Sequence, residues 1–246
     1  RRARLRGAHI RVSWPHQPME NANQFAMIAV YWVIGIVAGV LVSLEEQERR
    51  RRLKAEREAI IQGIAGLSNA LRFRDEYTRR HSEHVSRLAV QIGKRLNLSS
   101  ERLDVVRLAG LVHDVGKIGV RDDVLLKPHD LSSDELAAIR QHPVIAAEIL
   151  RPIRGAREIA EIVLAHHECP DGSGYPRGCK GEEIPLEARI IRVADVFASL
   201  LEERPYKSAV QVTRALEMME ELVGTKVDVE SLRALRCLVQ EGTSVL

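Results

Sequence analysis

FAMIAVYWVIGIVAGVLVSL, residues 25–44, runs for twenty residues without a charged side chain. A helix rises about 1.5 Å per residue, so this length covers the ~30 Å of a bilayer core. The run therefore predicts a transmembrane helix. A buried core helix or the apolar part of a signal peptide would share its composition. A cleaved signal has a shorter apolar core that ends in small residues, whereas this segment passes directly into EEQERRRRLKAERE. Arginines flank both ends, but the cluster Arg49 to Lys54 lies closer to the apolar edge than Arg1, Arg2, Arg4, Arg6 and Arg11 do. The positive-inside rule then places the carboxyl side in the cytoplasm.

Residues 1–24 read as a basic N-terminal segment without helical periodicity. Residues 45–59 mix both signs without Gly or Pro, and opposite charges recur three or four apart, the pattern of a solvated helical linker. A parallel homodimer through this linker is an expectation of the same pattern. Over all 246 residues, 37 Lys and Arg against 34 Asp and Glu leave a net charge of +3, which does not suggest a DNA or RNA polymer as partner. The three cysteines, Cys169, Cys179 and Cys237, contain no CxxC pair and an odd count, so they read as free thiols in a reducing compartment.

From residue 60 to 246 the apolar spacing is helical throughout. Ile60, Ile61, Ile64, Leu67 and Leu71 form one set, Val85, Leu88, Ala89, Ile92 and Leu96 a second, and Leu103, Val106, Leu108, Leu111 and Val112 a third. Ser132 with Glu135 fits a capping box, and residues 157–167 and 186–201 repeat the pattern. The expected fold class is all-α.

Of nine histidines, His81, His113, His142, His166 and His167 fall in or at the ends of predicted helices amid apolar residues. His9, His16, His84 and His129 fall in the tail, on a polar face or in a loop and receive no role. A lone imidazole among apolar residues is ordinarily a satisfied core residue. Five of them, with Asp114 directly after His113 and Asp195 inside RIIRVADVFASL, change that weighing. An unpaired carboxylate on an apolar helix face costs several kcal/mol, and a metal centre supplies the missing cation.

HDVGK at 113–117, then IGVRDDVLLKP, QHP at 141–143, HHECPDGSGYPRG, VADVF and RPYK resemble, in that order, the HD-GYP family of bacterial cyclic-di-GMP phosphodiesterases. The likeness spans roughly residues 60–228. It implies an HD-superfamily helical bundle that hydrolyses cyclic-di-GMP to linear pGpG, GMP or both, anchored in the bacterial cytoplasmic membrane through residues 25–44. It implies two divalent ions, Fe or Mn with Zn as an option. His81, His113 and Asp195 would hold one ion and His142, His166 and His167 the other, with Asp114 bridging. Two such ions activate water at neutral pH and clamp phosphate oxygens. Lys117 would stabilise the transition state, and Tyr175, Arg204 and Lys207 would contact substrate. Glu168 and Asp171 would orient the histidines. Some members hold a third ion through a glutamate where this chain has Tyr77, so two ions are expected.

Several positions depart from the family pattern. Cys169-Pro170 replaces a common basic-aromatic pair, Cys179 a leucine and Ala198 an aspartate, and GTKVDVE is a loose form of the usual ending. None is an expected metal ligand; they bear on the substrate rim. Two rival readings stay open: an HD-superfamily phosphohydrolase for another nucleotide, and a catalytically weak dinucleotide receptor.

Overall fold

The structure, a computed structural model, describes residues 18–74, 76–125, 127, 130–202 and 210–242. The chain divides into two compact units, residues 1–54 and 55–246. Helix α1 is Pro18–Arg74. In the first unit it contains the charge-free run, whose side chains from 25 to 44 are all exposed. A helix apolar on every face has no polar side to give to water. This one is long and apolar enough to cross a membrane.

The second unit is helical, as the spacing predicts. After α1 come α2 (Glu76–Arg95), α3 (Ser100–Val112), α4 (Asp122–Leu125), α5 (Ser133–Ile139) and α6 (His142–Leu150). Then follow α7 (Arg157–Ala165), α8 (Leu186–Leu201), α9 (Val212–Glu220) and α10 (Val229–Gln240). Among the described residues there is no strand, only an isolated bridge between Val223 and Val227. Ser132 and Glu135 form the expected reciprocal cap of α5.

Helices α2, α3, α7 and α8 enclose the core. Val85, Ala89 and Ile92 of α2 meet Val106, Ala109 and Val112 of α3, Ile162 and Val163 of α7, and Ile190, Ile191 and Ala194 of α8, all buried. Phe197 of α8 is a large side chain with no exposed surface. Buried charge is matched at the periphery: Arg102 bonds both Glu158 and the buried Glu187, and Arg189 reaches Asp228 at 2.9 Å.

One close approach decides where the chemistry sits. A short 3-10 turn, Val115–Gly119, follows α3 and packs on the start of α6. A side chain on Gly116 would overlap the carbonyl of His142, so glycine alone lets the HDVGK turn reach α6. Truncating Phe197 to alanine should destabilise the second unit by about 3–5 kcal/mol, because it removes a buried aromatic from a core that relaxes only in part. Chemical denaturation of the purified chain checks this, and a shift under about 1 kcal/mol would show that the core does not depend on α8 as described.

Candidate metal centre

Helix ends place most of the expected histidines. His113 caps the C-terminal end of α3, Asp114 opens the 3-10 turn, His142 begins α6, and His166 caps α7 with His167 next. His81 lies within α2 and Asp195 within α8. Their rings form a continuous series. Centroids of His81 and His113 are 5.6 Å apart, His113 and His166 5.2 Å, His142 and His166 5.3 Å, and His142 and His167 4.9 Å.

Three rings share one hydrogen-bonding device. Nδ1 of His113, His142 and His166 lies 2.8, 2.7 and 2.5 Å from the carbonyl oxygens of Gly110, Ile139 and Val163, each three residues earlier. A carbonyl only accepts, so each ring donates from Nδ1 and turns a lone pair on Nε2 inward. His142 Nε2 and His166 Nε2 then face one another at 3.4 Å. Two acceptors at that distance repel unless a positive charge lies near both. His113 Nε2 is buried with no hydrogen-bond partner among the described residues. Asp114 Oδ2 is 3.4 Å from it but lacks hydrogen-bond geometry.

Asp114 stands between two ligand groups. Its Oδ2 faces His113 and its Oδ1 lies 3.4 Å from His142 Nε2. His81, His113 and Asp114 form one group able to hold a metal ion, and His142, His166 and His167 another, with donor atoms within 4.8 Å of one another in each. The orphaned Nε2 of His113 and the opposed lone pairs show that these residues fit a metal. Imidazole nitrogen with carboxylate oxygen suits Fe, Mn or Zn.

The electrostatics point the same way. Burial would raise Asp114, but the Lys117 ammonium beside it outweighs burial and holds the carboxyl well below its usual range. Lys117 Nζ lies 2.5 Å from Asp114 Oδ2. Burial would likewise raise Asp195, yet the hydrogen bond from His81 holds it well below. Burial lowers His142, carries His166 well below its usual value and brings His167 down to about 3. Rings kept neutral are rings able to ligate. His81 differs: burial alone would lower it, but hydrogen bonds to Asp195 and Glu202 raise it to about 9.

Glu202 and His84 are the residues that the sequence reading passed over. His81 Nε2 is 2.9 Å from Asp195 Oδ1, and its Nδ1 is 2.9 Å from Glu202 Oε2. Glu202 Oε1 is 3.3 Å from His84 Nδ1. A carboxylate on the far nitrogen of a ligand histidine fixes its orientation and raises its basicity. The signal was present, since Glu202 follows Asp195 by two helical turns and His84 follows His81 by one.

Two expectations need correction. Glu168 is buried, but its carboxylate accepts from the backbone of Arg177 at 2.7 Å and Cys179 at 3.1 Å and so fastens the loop rather than a histidine. Asp171 accepts from the Ser173 backbone at 2.8 Å and from its hydroxyl at 2.6 Å, and meets Lys226 at 3.2 Å. Both carboxylates stabilise the GYP loop because its amides are the donors within their reach. Gly174 lets that loop fold back onto Glu168 and Cys169, where a Cβ would collide with backbone. The fold-back seats the half-buried Tyr175 on His167, centroids 4.9 Å apart and planes 29° apart. Burial pushes the Tyr175 phenol up to about 12, so it remains a donor. Arg204 and Lys207 lie outside the described residues, as does the side chain of Tyr77.

Comparison with known proteins supports the HD domain fold. A family model described as HD domain matches residues 66–230. The cyclic di-GMP phosphodiesterase response regulator RpfG of Xanthomonas campestris is 40% identical over 198 residues, covering 80% of this chain and 50% of that protein. The 3'3'-cGAMP-specific phosphodiesterase 3 of Vibrio cholerae is 41% identical over 160 residues, covering 65% of this chain and 35% of that protein. The chain thus spans half or less of these relatives' length. Bd1817, described as a HDG"Y"P protein from Bdellovibrio bacteriovorus, has a similar fold, with a TM-score of 0.54, 20% identity and coverage of 68% of this chain and 53% of that one. An HD domain match over two thirds of the sequence, on a helical frame that brings His113, Asp114 and their partner histidines together, makes this chain a member of the HD domain family.

Proposed function

We propose that the chain is a metal-dependent phosphodiesterase acting on cyclic dinucleotides, with cyclic-di-GMP as the leading substrate. The observation that carries this reading is the Asp114 carboxylate set between two histidine groups whose inward nitrogens need a cation. Relatives named for cyclic di-GMP and for 3'3'-cGAMP support the substrate class. The cGAMP-named relative also favours a second reading, the mixed cyclic dinucleotide as substrate.

Two ions are proposed, one held by His81, His113 and Asp195 and the other by His142, His166 and His167, with Asp114 shared. When bound, such ions lower the pKa of water and neutralise charge on a phosphodiester. The protein's own groups supply the rest. Lys117, hydrogen-bonded to the Asp114 carboxylate, is proposed to stabilise the charge that builds on the phosphoryl oxygens during in-line attack. The Tyr175 phenol, kept protonated, donates a hydrogen bond toward the substrate. Glu202 holds His81 with Nε2 turned toward Asp195. Arg204 and Lys207 keep their proposed substrate roles on the strength of the ERPYK motif alone. The apolar helix is proposed to anchor the enzyme in the cytoplasmic membrane, with the basic cluster Arg49 to Lys54 and the second unit on the cytoplasmic side.

Anaerobically prepared protein supplied with Fe or Mn should cleave cyclic-di-GMP to pGpG or GMP, resolved by chromatography, and His113→Ala with Asp114→Ala should fall to background. Metal binding without cleavage of either cyclic-di-GMP or 3'3'-cGAMP would sink this reading. Glu202→Ala should weaken metal affinity by about 10- to 100-fold through His81, as measured by calorimetric titration. An unchanged affinity would remove Glu202 from the site.

The metal-free protein has its own pH signature. A histidine raised from 6.5 to about 9 stabilises the fold below 6.5 and loses that contribution as pH rises through 9, as His81 should. His167, lowered to about 3, contributes above 6.5 and loses its contribution as pH falls toward 3. NMR titration of the ring protons should find His81 charged at pH 8 and His167 neutral at pH 5. The opposite order would contradict the hydrogen bonding described.

A further inference from the structure

Two arginines beside the histidine series, Arg140 and Arg192, have no carboxylate partner among the described residues. Neighbouring arginines do: Arg177 meets Glu161 at 2.9 Å and Arg189 meets Asp228 at 2.9 Å. Arg192 is half-buried in α8, three residues before Asp195. Its Nε is sealed from solvent without an acceptor, and one terminal nitrogen donates to His167 Nδ1 at 3.0 Å. A guanidinium carries five N–H donors and no acceptor, so one imidazole nitrogen leaves it far from satisfied. From His167 the series continues outward. Tyr175 stacks on that ring, and the guanidinium carbon of the exposed Arg140 lies 5.4 Å from the Tyr175 centroid.

Arg192, His167, Tyr175 and Arg140 therefore form one row from the buried centre to the surface, with a cation at each end and an aromatic face between. Positive charge beside a site that itself takes cations is unfavourable unless an anion joins it. A cyclic dinucleotide brings two phosphodiesters in one ring. When one is at Asp114 and Lys117, the other needs a seat of its own. Guanidinium groups suit it, because they chelate phosphate oxygens and stack on flat rings.

We propose that Arg140 and Arg192 bind the uncleaved phosphodiester of the cyclic dinucleotide, with Tyr175 supporting the adjoining base. The inference rests on the phosphodiesterase reading above and assigns a second phosphate subsite within it. The test compares two substrates on the metal-loaded full chain: cyclic-di-GMP, with two phosphodiesters, and bis(4-nitrophenyl) phosphate, with one. Arg140→Ala should lower kcat/KM for cyclic-di-GMP about 10- to 100-fold, mainly through KM, as loss of a charge-assisted contact does. Its effect on the single diester should be at least about tenfold smaller. Arg140→Lys should recover part of the loss, and Arg192→Lys should shift the ratio between the substrates in the same direction. Equal losses on both substrates, or none on either, overturn the subsite while leaving the phosphodiesterase reading in place. A wild-type chain that cleaves the single diester but neither binds nor cleaves a cyclic dinucleotide overturns both.

Discussion

Everything around the centre follows from a lone pair that has nowhere to go. Three imidazoles donate through Nδ1 to the carbonyl three residues before them, and so each must present a bare Nε2 to the interior. In an apolar core an unmatched acceptor costs free energy, and nitrogens 3.4 Å apart that both accept cost more. The helix ends that carry them tolerate this only because a cation can occupy the space they face. Asp114, almost fully buried and kept ionised by Lys117, belongs to the same requirement. The acid-base character of the ring set and the proposed reaction both depend on it.

The bundle serves that constraint through backbone contacts more than through side-chain bulk. Gly116 allows the turn after α3 to touch the first residue of α6, which brings Asp114 to His142. Gly174 allows the GYP loop to fold back on Glu168, which brings Tyr175 to His167. Glu168 then secures two amides of the same loop. A motif such as HHECPDGSGYP is therefore partly ligand set and partly a device for holding its own loop.

How much of this was legible in the sequence depended on the range of the interaction. Helical spacing revealed the all-α bundle, and the HD and HHE motifs revealed the histidine set, because each is written in residues close along the chain. His84 receives no role from the sequence, and Glu202 no mention, because they meet only across the fold: the bonds from His81 and His84 to Glu202 span 121 and 118 residues. Glu168 and Asp171 were given to the histidines because both sit within a few residues of them. Sequence distance gave no hint that their carboxylates would find loop amides first. Nothing in the sequence distinguishes Arg192 from other arginines; it is set apart only in space, where no carboxylate among the described residues pairs with it.

The arrangement joins an apolar helix that can span a bilayer to an HD domain in one chain, and the chemistry of the second unit turns on what lies among the inward nitrogens. Anomalous diffraction from the iron- or manganese-loaded protein, collected across the metal edge, examines that space directly. Two peaks are expected, one bonded to His81, His113 and Asp195 and one to His142, His166 and His167, with an oxygen of Asp114 on each. A metal-loaded crystal with no peak among these residues, or with its ions bound elsewhere, would contradict the reading of those lone pairs as a metal centre.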